Sequence, residues 1–155
     1  MIRICKLEEV ESLADVIIPA WEIEANVPYF ALVLNAKEML KEFKMMVIRP
    51  DADVFLLINR QEIVGVLGMM IFKNPVGKEN IANEHFWYVL PKHRGFGSIR
   101  LINEAKKWAR EKGCSHIIFN ASKMASDSHD RICNLYERLG MKLFETVYIQ
   151  DIREV

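Results

Sequence analysis

The chain has no excess of charge: its 155 residues hold 21 Lys and Arg against 21 Asp and Glu. A protein that lives on nucleic acid draws most of its non-specific affinity from a basic surface, so this balance argues against that class of partner. Cysteine is scarce. Cys5, Cys114 and Cys133 are odd in number and far apart, no CxxC occurs, and the four histidines form no ligand spacing. Neither a zinc site nor a disulfide framework is expected, and the three read as buried or half-buried thiols of a reducing cytosol. No apolar run reaches the length that crosses a bilayer. Charge appears at Arg3 and Lys6, too early for a secretory leader. The expected location is therefore cytoplasmic, with no membrane contact. Linkers, repeats and low-complexity tracts are also missing, and the length fits one domain over 1–155.

Half of the residues are hydrophobic (51%), enough for a sizeable core. Residues 2–5 read as a short strand. Leu7, Val10, Leu13, Ala14, Ile17 and Ile18 recur at helical spacing. Pro19 unsettles the last turn of that helix, and Pro28 closes the segment holding Trp21. A second helix is expected over about 36–47. Strands at 54–59 and 63–72 flank a tight turn at 59–62 and form a hairpin. Gly65 and Gly68 inside it suggest a bulge or a close backbone neighbour. A polar loop over 73–83 leads to a central strand at 84–90 and a long helix at 98–112, stopped by Gly113. A strand at 116–121, a loop at 122–128, a helix ending at Gly140 and a closing strand at 143–152 complete the order β-α-α-β-β-β-α-β-α-β, a mixed α/β fold.

The most informative stretch joins the central strand to the long helix. The run Phe86-Trp87-Tyr88-Val89-Leu90 stops at Pro91, and a basic, glycine-bearing turn follows, Lys92-His93-Arg94-Gly95-Phe96-Gly97-Ser98. A helix N-terminus carries unpaired N–H donors and a partial positive charge. Glycines let a phosphate come close to the backbone. Lys92, His93, Arg94 and Arg100 cluster there. A phosphate-bearing ligand is expected at this turn; the alternative is an ordinary solvated strand-to-helix turn, since a glycine turn alone is a weak signal.

This element order, with VLPKHRGFGS between strand and helix and NLYERLGMKL near the end, resembles the GNAT superfamily of acyl-CoA-dependent N-acetyltransferases over nearly the whole chain. The string FWYVLP-x-x-RG, followed by IRLI and a WARE helix, looks most like the short variants common in bacteriophage genomes. The resemblance implies a mixed, mostly antiparallel sheet flanked by helices and splayed between strands 4 and 5. It implies acetyl-CoA as co-substrate, with its pyrophosphate in the glycine turn. The family motif is Arg/Gln-x-x-Gly-x-Gly/Ala. Counted from Arg94 it puts Gly97 at the first glycine but Ile99 at the second small position. Counted back from Trp108 it starts at His93, with Phe96 and Ser98 in those places. Either register leaves Arg94, Gly95, Phe96, Gly97 and Ser98 as cofactor contacts.

The resemblance further implies that the pantetheine arm pairs with the backbone of Tyr88 and Val89, where a strand N–H is the natural oxyanion donor. Tyr136 matches the family's tyrosine in Leu-Tyr-x-x-x-Gly, which gives a proton to the departing thiolate. A phenol holds that proton at neutral pH. Tyr136 also shares a helical face with Ile132, Leu135 and Leu139, where a tyrosine is usually core. The general base is Glu84, where relatives hold a carboxylate, ahead of its neighbour His85, whose imidazole is the usual proton carrier near neutrality; the alternative for either is a solvent-exposed strand-end residue. Alternation puts the two on opposite faces. Asn120, at the end of the partner strand, is a further cofactor contact or a plain strand-end residue. Cys114 and Cys133 have no visible His/Asp partner pattern and read as structural.

The expected acceptor is a small-molecule or protein amine, with Trp21, Tyr29 and Phe30 near it and Glu22 and Glu24 to attract a cation. Two functions stay open: an active acetyltransferase, and a non-catalytic module that binds acyl-CoA or a partner. Zero net charge fits poorly with an aminoacyl-tRNA acceptor. A homodimer is compatible with the family, though no residue specifies it.

Overall fold

In the computed structural model the structure describes residues 1–125 and 127–153. The chain gathers into two compact units, Met1–Ala20 with Ala36–Phe119 and Trp21–Asn35 with Asn120–Val155.

The first unit holds a five-stranded sheet: β1 (Ile2–Ile4), β2 (Ala52–Asn59), β3 (Glu62–Lys73), β4 (Asn80–Val89) and β5 (Cys114–Ile118), in that spatial order. Every pair is antiparallel except β4–β5. The hairpin turn between β2 and β3 has Arg60 and Gln61 at φ 46° and 71°. Two successive left-handed residues make the twist of the turn match that of the strands. The sheet is covered on both faces, which is why Val54 to Ile58 are buried without alternation. Helix α3 (Phe96–Glu111) sets Leu101, Ala105, Trp108 and Ala109 against Phe55, Leu57, Leu67, Met69, Ala82 and Val89. Trp108 also donates its indole N–H to Asp53 Oδ2 at 2.7 Å. Helix α2 (Ala36–Ile48) packs on β2 and buries Phe43 and Met46. Helix α1 (Val10–Glu24) runs through Pro19 without breaking, with Val10, Leu13, Ala14, Ile17 and Ile18 buried.

Before α1, a 3-10 turn is pinned by charge. Arg3 reaches Glu9 through two bonds of 2.7 and 2.5 Å, and the Lys6 N–H donates to the same carboxylate at 3.0 Å. The Arg3 guanidinium and then the Lys6 N–H hold the Glu9 carboxyl down from 4.5 to about 2. A depressed carboxyl stabilises the fold fully above its unfolded value and loses that contribution as pH falls through the folded one. The pair is well solvated, so its worth is about 1 kcal/mol or less. Glu9→Gln is expected to flatten the decline in stability between pH 4.5 and 2, measured by chemical denaturation at fixed pH. A decline as steep as that of the parent protein would remove this pair from the account.

The second unit contains α4 (His129–Arg138) and the segments around it. The Asn26 N–H donates to Met124 O at 2.8 Å, and its side-chain amide donates to Asp127 Oδ1 at 2.6 Å and Lys123 O at 3.3 Å. The loop expected over 122–128 is irregular as anticipated, with Ser126 outside the described residues. The closing strand expected over 143–152 does not form: among the described residues no ladder involves this segment. Leu143, Phe144 and Tyr148 are 85, 77 and 90% exposed. An apolar pattern makes a strand only where a neighbour pairs with it.

Candidate functional site

Strand β4 carries a bulge opposite Gly68 of β3. Gly68 pairs with Phe86 and Met69 with Glu84, so His85 is the extra residue. A Cβ on Gly68 would stand 2.6 Å from the Phe86 ring, so only glycine lets that ring lie across β3. Phe86 meets Phe43 of α2 at 4.7 Å between ring centroids. His85 also turns to α2, with Nε2 2.6 Å from Glu42 Oε1. Two successive side chains on one side is what a bulge produces. Glu84 goes the other way and is buried, at 8% exposure, while His85 is exposed. The two candidate bases thus have different surroundings: His85 is oriented by a carboxylate at the surface, and Glu84 is largely removed from water.

Beyond the bulge β4 parts from β5. The parallel ladder ends at Asn83 and Ile118, whereas β4 continues to Val89. The rings of Trp87 and Phe119 stand 6.3 Å apart just past the last rung. The splay expected of strands 4 and 5 is therefore present. Tyr88 fastens this end of β4 to α1, its hydroxyl donating to Ala20 O at 3.1 Å. Arg94 folds back on the same end: Nε donates to Val89 O at 2.8 Å, and the guanidinium lies over the Tyr88 ring at 5.4 Å. Arg94 thus shapes the strand end through Nε, a role its motif position did not disclose.

A 3-10 turn over Pro91–His93 leads into α3, which starts at Phe96, two residues earlier than the sequence suggested. Gly95 is the N-cap, at φ 78°. The first intrahelical bond runs from the Ile99 N–H to Gly95 O at 3.1 Å. Phe96, Gly97 and Ser98 therefore supply the first-turn N–H groups that a helix cannot pair within itself. The glycines divide the work. A Cβ on Gly95 would meet nothing within 4 Å, so open space lies beside the N-cap. A Cβ on Gly97 would stand 2.8 Å from Leu57 Cδ2, so Gly97 lets α3 lie close on β2. Ser98 is buried and Phe96 exposed, with Arg100 over the Phe96 ring at 5.9 Å. Open space, unpaired N–H groups, a helix dipole and Lys92, His93 and Arg100 nearby make a fitting seat for a pyrophosphate.

In the second unit Tyr136 is buried, at 8% exposure, and its hydroxyl donates to Asn120 O at 3.1 Å. Asn120 thus meets Tyr136 through its backbone carbonyl. Tyr29 and Phe30, edge to face at 4.9 Å, line a cleft of about 360 Å³ with Asn26, Lys123, Asp127, His129 and Asp130. The other residues expected near an acceptor, Trp21, Glu22 and Glu24, do not line it. Sequence reading missed one constellation on α4: Cys133 Sγ lies 3.6 Å from His129 Nε2, and His129 Nδ1 lies 2.9 Å from Ala121 O. The signal was the i, i+4 spacing of the two residues, which places them on one helical face. Among the described residues no group of three or more His, Cys, Asp or Glu could hold a metal, and no helix is long and apolar enough to cross a membrane.

Comparison with known proteins bears on the fold and the family. Among solved structures the chain is similar to a probable acetyltransferase, with a TM-score of 0.75 and 16% identity over 100% of this chain and 99% of that one. It is also similar to the ribosomal-protein-alanine N-acetyltransferase from Brucella melitensis biovar Abortus 2308, with a TM-score of 0.72 and 17% identity over 98% and 99% of the two chains. A third is AAC(6')-Iy in complex with the bisubstrate analogue CoA-S-monomethyl-acetylneamine, with a TM-score of 0.75 and 16% identity over 99% and 97%. No curated protein matches the chain. At these identities the structures speak to the fold alone. The family model of the Acetyltransferase (GNAT) family matches residues 11–141, and with most of its length covered the chain belongs to the GNAT acetyltransferase family, whose co-substrate is acetyl-CoA.

Proposed function

We propose that the chain transfers an acetyl group from acetyl-CoA to a primary amine, by direct attack in a ternary complex. The observation that carries this reading is the pairing of a splayed β4 with an open helix N-terminus behind Gly95. The pyrophosphate sits on the N–H groups of Phe96, Gly97 and Ser98, with Gly95 giving access and Arg94 holding the strand end in place. The pantetheine arm runs along Tyr88 and Val89. Alignment of this kind is worth about 7–11 kcal/mol in reactions between two bound partners.

The chemistry then needs little more. The amine nitrogen attacks the thioester carbon, and a backbone N–H of β4 steadies the oxyanion. The C–S bond breaks, and the thiolate takes a proton from Tyr136. The amine proton leaves to Glu84, directly or through water. Glu84 is preferred to His85 because the bulge turns His85 toward Glu42 of α2. Asn120 positions Tyr136 through its carbonyl. The acceptor is a primary amine, small or on a protein.

Two observations favour a second reading, a module that holds acyl-CoA without turnover: the Tyr136 proton is engaged by a backbone carbonyl, and Glu84 is buried. Incubation with acetyl-CoA and a panel of polyamine, aminosugar and peptide amines, read by product mass, separates the two. An acetylated amine that depends on the protein is the expected result. Acetyl-CoA binding with no product across the panel would favour the module.

A further inference from the structure

Cys133 has the surroundings of a working nucleophile, although the reaction above does not use it. It lies one helical turn after His129, the first residue of α4. The Ala121 carbonyl can only accept a hydrogen bond, so His129 Nδ1, 2.9 Å away, carries the ring proton. In the neutral ring Nε2 then presents a bare lone pair, and it faces Cys133 Sγ at 3.6 Å, a hydrogen-bonding distance for sulfur. Carbonyl, imidazole and thiol form an ordered series: an orienting group, a base and a nucleophile. Both side chains are half-buried, and His129 lines the cleft of about 360 Å³.

We propose that Cys133 is a covalent modification site, a thiol activated by His129 toward small soft electrophiles that carry a leaving group. The thiol proton passes to Nε2. The sulfur lone pair bonds to the electrophilic carbon, or to one sulfur of a disulfide, and the leaving group departs with the bonding pair. The imidazolium returns its proton to water or to the leaving group. The other two cysteines lack this arrangement. Cys5 is 3% exposed, with its thiol pushed up to about 11 chiefly by burial. Burial also raises the Cys114 thiol above its ordinary value.

The test is timed alkylation of the full chain with iodoacetamide, each cysteine followed by peptide mass spectrometry. Cys133 is expected to react at least about tenfold faster than Cys114, because the thiolate is the reacting species. His129→Asn keeps a donor for the Ala121 carbonyl but has no basic nitrogen, and should bring Cys133 down to the rate of Cys114. Equal rates for the two cysteines in the parent protein would overturn the proposal, whatever the variant does. So would an unchanged Cys133 rate in folded His129→Asn. Neither outcome bears on acetyl-CoA binding, which is read separately.

Discussion

Tyr136→Phe is expected to lower kcat by about 10²–10⁴-fold, the usual worth of a positioned general acid, and to leave acetyl-CoA affinity nearly unchanged. The thiolate leaving from the thioester must be protonated, and the phenol is the group assigned to it. The exchanged atom is one oxygen, so the volume of the buried ring is kept. The same substitution removes the hydrogen bond to Asn120 O, which costs about 0.5–1.5 kcal/mol of stability. Both effects are measurable on one variant, by steady-state kinetics and by chemical denaturation. A loss of stability with kcat intact would make Tyr136 a core residue. A large loss of cofactor affinity would do the same, since a proton donor to the leaving group acts after binding.

Gly95→Val is the second large effect, and it should appear in binding. Gly95 sits at φ 78° and caps α3 at its N-terminus. A β-branched residue held there costs about 1–3 kcal/mol of backbone strain. No neighbour lies within 4 Å of the new Cβ, so the strain comes from the backbone alone. Relief of that strain tilts the first-turn N–H groups away from the phosphate, and acetyl-CoA affinity should fall at least about tenfold, or about 1.4 kcal/mol. Gly97→Ala offers the contrast. Its Cβ meets Leu57 Cδ2 at 2.8 Å, so it strains the contact of α3 with β2 and costs about 1–3 kcal/mol of stability. Stronger loss of affinity in Gly95→Val than in Gly97→Ala, measured by calorimetry, would confirm that Gly95 gives access and Gly97 gives packing. The reverse order would return the anion contact to Gly97.

Much of this was legible in the sequence, because most elements carry their own period. The apolar stripes of α1 and α3 and the runs of β2 and β3 need no partner to be recognised. The strand–turn–helix unit was legible for the same reason. Features that depend on another part of the chain were not. β4 begins at Asn80, four residues before the expected start, because Asn80 to Asn83 pair with both β3 and β5. Two asparagines in four residues read as loop until those ladders exist. The bulge that sorts Glu84 from His85 follows from the Phe86 ring crossing Gly68, a contact across strands. The apolar residues between Leu143 and Ile152 gave a strand pattern, yet among the described residues they form no ladder. Cys133 looked partnerless because its base was sought in a motif, although it stood one helical turn away.

The central claim is that the β4–α3 turn binds acetyl-CoA, and calorimetric titration of the parent protein with acetyl-CoA, with free CoA alongside, tests it most directly. Micromolar one-to-one binding of both ligands, weakened in Gly95→Val, is the predicted result. No binding of either ligand to folded protein would contradict it and leave a GNAT fold whose glycine turn serves only to start a helix.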